Sequence, residues 1–118
     1  MGKKKNDLSE NYLERIPRRA AHIAWNTDAD GKVTLEIENK GVFNRIAQRF
    51  FKKPRISYIH LDEMGSFVWP CIDGEKSIIE LGKIVDEHFG EAAQPLYGRL
   101  AKYFQILDSY GFVTWKQN

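Results

Sequence analysis

The sequence predicts an α+β domain: an N-terminal three-stranded antiparallel sheet followed by three helices, with an extra amphipathic helix inserted before the third strand. Three observations predict it. Residues 22–37 hold two arms rich in β-branched and aromatic residues around a dense turn; residues 77–111 hold the start and stop signals of two helices; and between them Pro54 introduces a short β-rich run at 55–61. A chain of 118 residues with 42% hydrophobic and 13% aromatic content buries one core and is too small for a two-domain enzyme. Residues 1–14 read as a flexible basic start and 15–118 as the single domain.

The elements follow in order. Residues 22–25 (HIAW) and 32–37 (KVTLEI) flank the turn-forming run 26–31 (NTDADG), which makes a β-hairpin. In its second arm Val33, Leu35 and Ile37 alternate with Thr34, Glu36 and Glu38, the period of a strand with one face buried. Residues 41–53 (GVFNRIAQRFFKK) place Val42, Phe43, Ile46, Ala47 and Phe50 on one helical face opposite Arg45 and Arg49. A basic amphipathic helix of this kind can rest on an anionic membrane, but an apolar face is also what any helix needs to dock on its own sheet. Residues 55–61 (RISYIHL) are the third strand, and Asp62 is placed to cap the first of the three helices.

The second helix carries the clearest signature. Ser77 and Glu80 have capping-box spacing, and Gly90 stands where a left-handed residue closes a helix. The third helix runs from residue 94 or 95 to 110 and stops at Gly111. At helical spacing Leu96, Tyr97, Leu100, Tyr103, Phe104, Leu107 and Tyr110 span an arc of about 140°. That is wider than a minimal core stripe, so one flank is available to something other than the core. Residues 112–115 form a short extended tail.

Charge divides the chain. Residues 1–56 hold 13 Lys and Arg against 7 Asp and Glu, a balance of +6, whereas residues 57–118 hold 5 against 9, a balance of −4. Cys71, the single cysteine, excludes an internal disulfide and a thiolate cluster and fits a reduced, cytoplasmic compartment. No run has signal-peptide character or the length of a membrane span.

Chemistry-bearing residues are sparse. His22, His60 and His88 are far apart and lack metal-ligand spacing, Cys71 falls on the expected core side of the first helix, and Asp62 of the pair Asp62 and Glu63 is needed as a cap. Trp69 reads as a core anchor. The expectation is a protein that is not an enzyme and has neither metal nor cofactor.

One stretch carries a family resemblance. Residues 61–74 (LDEMGSFVWPCIDG), running into 77–90 (SIIELGKIVDEHFG), place Leu61, Asp62, Gly65, Trp69, Asp73 and Gly74 as the PqqD-like family places them, and the likeness extends over 55–113. The resemblance implies a winged-helix-like domain that recognises the leader of a precursor peptide and presents it to a modifying enzyme, for which a radical SAM enzyme is the family expectation. It implies strand addition at the third strand, through Arg55, Ile56, Ser57, Tyr58, Ile59 and His60, with Tyr97, Leu100, Ala101 and Phe104 of the third helix lining the groove beside it. The opposite helix flank, Ile106 and Tyr110, is the alternative. A winged-helix DNA-binding regulator is the rival function. It would need a basic recognition helix, where the third helix offers only Arg99, Lys102 and Gln105.

Overall fold

The computed structural model describes residues 10–38 and 56–116. In chain order these form α1 (Glu10–Leu13), β1 (Pro17–Arg19), β2 (Ala24–Thr27), β3 (Val33–Glu38), β4 (Ile56–His60), α2 (Glu63–Cys71), α3 (Ile78–Phe89), a 3₁₀ turn (Gly90–Ala93), α4 (Leu96–Ser109) and β5 (Val113–Trp115). The α+β class, the antiparallel strands and the three successive helices are as expected. The inserted helix at 41–53 lies outside the described residues.

β2, β3 and β4 form the expected antiparallel sheet in that order, with Leu35 opposite both Trp25 and Ile59. The hairpin turn is tied by Asp28, whose Oδ1 accepts from the backbone N–H groups of Asp30 and Lys32, each at 2.9 Å. Period-two patterning then sends Val33 and Leu35 fully into the core, while Glu36 and Glu38 point away from it.

The helix boundaries follow local chemistry. Asp62 caps α2 by accepting from Gly65 N at 2.8 Å, and both halves of the Ser77–Glu80 capping box are formed on α3. Helix α4 ends as its glycine requires: Gly111 has φ 78°. Its N–H donates to Asp108 O at 3.0 Å, and that of Phe112 donates to Leu107 O at 2.9 Å. Together these satisfy two carbonyls of the last turn. Leu96, Leu100, Ala101, Phe104 and Leu107 bury one face of α4 against Val68, Trp69, Ile78, Leu81 and Val85 in the same core.

Two features were not expected. The C-terminal tail is a strand, β5, which pairs antiparallel with β1 in a separate two-stranded sheet. Residues 10–13, assigned to the flexible start, are helical, and Tyr12 and Leu13 pack against the core. Tyr12 meets Trp115 edge-on at 5.9 Å and the Arg15 guanidinium lies 4.2 Å from the Trp115 ring, so aromatic contacts seal this end. Arg19 joins the small sheet to the helices. Its Nη1 donates to the carbonyls of Trp69, Pro70 and Ile72 at 3.2, 3.1 and 2.7 Å, neutralising the C-terminal end of α2.

The packing of α3 on α4 depends on an absent side chain. A Cβ on Gly82 would lie 2.5 Å from Cε1 of Tyr97, whereas one on Gly98 would meet nothing within 4 Å. Gly82→Ala is therefore expected to lower stability by about 1–3 kcal/mol, because Tyr97 has to leave its place. Gly98→Ala, in an open helical position, should raise stability by about 0.5–1 kcal/mol. Urea unfolding of the two variants checks the contrast.

The loop after α2 has a pH signature. Asp73 accepts from Lys76 Nζ at 2.7 Å and from the N–H groups of Glu75 and Lys76 at 2.9 and 3.1 Å. The bond from the Lys76 side chain, then that from Glu75 N, lowers its pKa to about 2. The small stabilisation this exposed carboxylate supplies is present above its ordinary value of 3.8 and disappears as pH falls through about 2. NMR titration of the Asp73 carboxyl should give that low midpoint, and Lys76→Ala should move it upward.

Candidate functional site

Among the described residues no strand covers the outer edge of β4, the last strand of its sheet. Leu61 N donates to Val33 O at 2.9 Å, which makes Val33 and Leu61 a hydrogen-bonded pair. Antiparallel alternation then directs the backbone groups of Ser57 and Ile59 to β3 and turns those of Ile56, Tyr58 and His60 toward the open edge. Large apolar side chains are exposed along the same strand: Ile56 by 43%, Tyr58 by 58% and Ile59 by 38%.

The two faces of β4 differ. Ile56, Tyr58 and His60 lie opposite Glu38, Glu36 and Thr34 on the face turned from the core, where His60 Nδ1 and Thr34 Oγ1 share a hydrogen bond of 3.0 Å. Ser57 and Ile59 share the face of Ile37 and Leu35. On that side an apolar cavity of about 310 Å³ opens between the strand and the C-terminal half of α4, lined by Ile59, Leu61, Tyr103, Ile106, Tyr110 and Phe112. Tyr110 stacks on Phe112 at 5.4 Å, and both Ile106 and Tyr110 are exposed, by 48% and 68%.

Tyr103 forms the inner wall. Its hydroxyl donates to Gly65 O at 3.0 Å, and a Cβ on Gly65 would stand 3.0 Å from the Tyr103 ring, so the glycine lets α2 and α4 approach. Burial, followed by the charges of Asp62 and Cys71, raises the phenol well above its ordinary pKa, so it remains a donor.

The structure thus distributes the expected site residues unevenly. Ile56, Ser57, Tyr58, Ile59 and His60 form the edge strand; Arg55 lies outside the described residues. The four helix positions assigned to the groove are elsewhere. Leu100, Ala101 and Phe104 are at most 1% exposed and belong to the core, and Tyr97 lies against Gly82 of α3. The groove takes the alternative flank, Ile106 and Tyr110, together with Tyr103. Leu61, Leu107 and Phe112, which the sequence reading did not assign to it, complete the lining with Ile59.

Other candidates have structural places. Arg99 Nη1 donates to Ala92 O at 2.8 Å, so one of the three candidate base readers of α4 is partly engaged, while among the described residues Lys102 and Gln105 are not. Trp69 is fully buried, edge-on to Trp25 at 6.4 Å. Cys71 is half-buried rather than enclosed, because it ends α2, and its Sγ lies 3.4 Å from Phe67 O. His88 stacks on Phe67 at 4.2 Å. Among the described residues no group of three His, Cys, Asp or Glu gathers to hold a metal, and no helix is long and apolar enough to cross a membrane.

The stretch that builds this edge strand and the three helices matches a known family. The family model for coenzyme PQQ synthesis protein D (PqqD) covers residues 33–113. The chain belongs to the PqqD family. This is a non-catalytic accessory family of PQQ synthesis. No curated protein and no solved structure matches the chain. The family match runs from β3 to the start of β5 and so includes the edge strand, the groove and Tyr103.

Tyr103→Phe tests the wall. The Gly65 carbonyl lies inside a helix and keeps its helical donor, so the loss should be modest, about 0.5–1.5 kcal/mol of stability. Chemical-shift changes centred on Gly65 and Ile106 would show that the ring anchors the groove.

Proposed function

We propose that this PqqD-family chain binds the leader segment of a precursor peptide by strand addition at the outer edge of β4 and presents it to a peptide-modifying enzyme, a radical SAM enzyme by family expectation. The observation that carries this reading is the coincidence of a backbone edge that no described strand covers with an apolar cavity on one side of it. The N–H and C=O groups of Ile56, Tyr58 and His60 offer a ladder to any extended peptide. Alternate peptide side chains then face the cavity formed by Ile59, Ile106 and Tyr110, where fit supplies sequence choice. The basic first half of the chain favours an acidic leader by steering its approach. The hairpin and three helices support a winged-helix reading of the fold, and the lone, half-exposed Cys71 fits a reduced cytoplasmic setting.

DNA binding on the same scaffold has weaker support. Arg99 is engaged with the Ala92 carbonyl, and the half of the chain that holds α4 carries the negative balance. Duplex DNA should associate weakly and without sequence preference, with an affinity that falls steeply with salt.

Titration calorimetry and chemical-shift mapping with the cognate leader peptide test the proposal. Tyr58→Pro removes an outward-facing donor and should weaken binding at least about tenfold while the β3–β4 ladder persists. Ser57→Pro should instead break the ladder to β3 and destabilise the fold. Ile106→Ala, at an exposed position, should cost about 1–2 kcal/mol of affinity with little change in melting temperature. Peptide-induced shifts that leave β4 and the second half of α4 silent would refute strand addition, and a footprint at one DNA site at physiological salt would establish the rival.

A further inference from the structure

A second cavity, of about 370 Å³, lies between the β1–β2 connection and the loop joining α2 to α3. Its lining includes Arg18, Ile23, Trp25, Ile72 and Gly74, none of which belongs to the groove beside β4. Six of its ten lining residues precede the family match, which begins at residue 33. Ile23 and Ile72 are buried and give the cavity an apolar base.

The charges around it do not cancel. Asp73 is bound by Lys76 Nζ and by two backbone N–H groups, and Glu75 is paired with Lys116 at 3.4 Å. Arg19, also in the wall, commits Nη1 to three carbonyls of the α2 terminus and lies 5.3 Å from the Trp25 ring. Arg18 has no such commitment. Its stem lies along Gly74, with Cγ only 3.1 Å from where a Cβ would stand, and among the described residues its guanidinium has neither a hydrogen bond nor an ion pair. Gly74, at φ 79°, is what lets the loop pass under that stem. The result is an uncommitted arginine fork at a cavity whose base holds Ile23 and Ile72, a geometry suited to a carboxylate carried on a methylene stem.

We propose that this cavity is a docking site for an acidic side chain of a protein partner, separate from the β4 edge and able to be filled at the same time. The site opens to solvent and has a polar rim, which suits a protruding side chain better than a free metabolite enclosed on most sides. This inference stands on the cavity and on Arg18, and does not require that a peptide bind β4.

The test uses the full chain and an acetylated, amidated glycyl-glutamyl-glycine tripeptide, followed by ¹⁵N chemical shifts, with the glutaminyl tripeptide and sodium acetate in parallel. The glutamyl probe should give saturable shifts at the Arg18 Nε–H, at Gly74 and at the Trp25 side chain, with β4 silent. Arg18→Gln should weaken it by about tenfold or more, and Arg18→Lys should restore part of the loss, since a point charge replaces the fork. Arg18 is exposed, so these variants should keep the wild-type melting temperature. Equal shifts with the glutaminyl probe, or undiminished binding in Arg18→Gln, would overturn the site. Acetate binding as tightly as the tripeptide would overturn the assignment to a protein side chain, because the stem and backbone would then add nothing.

Discussion

The junction at Ser66 governs how sheet and helices meet. Ser66 is 5% exposed and is the buried polar side chain of the described core. Its Oγ accepts from Val33 N at 2.8 Å and donates to Leu61 O at 3.2 Å, while Leu61 N donates to Val33 O at 2.9 Å. One hydroxyl therefore takes the place of a strand where the ladder ends and α2 begins. Without it the Val33 N–H would be buried without a partner, at a cost of about 1–3 kcal/mol. The same three bonds set the register in which Ile59 faces the core side and Tyr58 offers its backbone outward. Which backbone groups of β4 face its outer edge is thus tied to how α2 is attached.

That attachment also explains where the groove lies. Asp62 caps α2 next to the junction, Gly65 follows within the first turn, and its missing Cβ admits the Tyr103 ring. Tyr103 ties α4 to α2, and the residues one and two turns on, Ile106 and Tyr110, line the cavity beside β4 while Phe104 and Leu107 are buried in the core. A wide apolar arc serves both purposes only if the helix is held at one rotation, and the hydroxyl bond from Tyr103 to Gly65 O helps to hold it.

Legibility in the sequence follows the range of the interaction. Asp62, Ser77, Glu80, Gly90 and Gly111 announce their roles because caps and turns are settled within a few residues. The hairpin was readable for the same reason, through the turn chemistry of residues 26–31 and the alternation around Leu35. The β1–β5 pair was not, because three residues beginning with a proline show no period and their partner is almost a hundred residues away. The groove was half readable. Periodicity delimits the apolar arc of α4 but not its rotation, so Tyr97, Leu100, Ala101 and Phe104 were as eligible as Ile106 and Tyr110 until the contacts of Gly65 and Gly82 were known.

Those two glycines separate the roles of the α4 aromatics by sterics alone. At Gly82 there is room for the Tyr97 ring, and at Gly65 for that of Tyr103, so both tyrosines serve to dock α4, one on α3 and the other on α2. What remains exposed is a hydrophobic flank next to a backbone edge, with Arg99 bonded to the Ala92 carbonyl and Lys102 as the exposed cation of α4. A nucleic acid needs free positive charge on the helix that faces it, whereas an extended peptide needs unpaired backbone and a pocket for alternate side chains. The β4 edge and the cavity under Ile106 supply the second pair of requirements, whereas α4 meets the first with two cations, Arg99 and Lys102, of which Arg99 already gives one donor to its own chain.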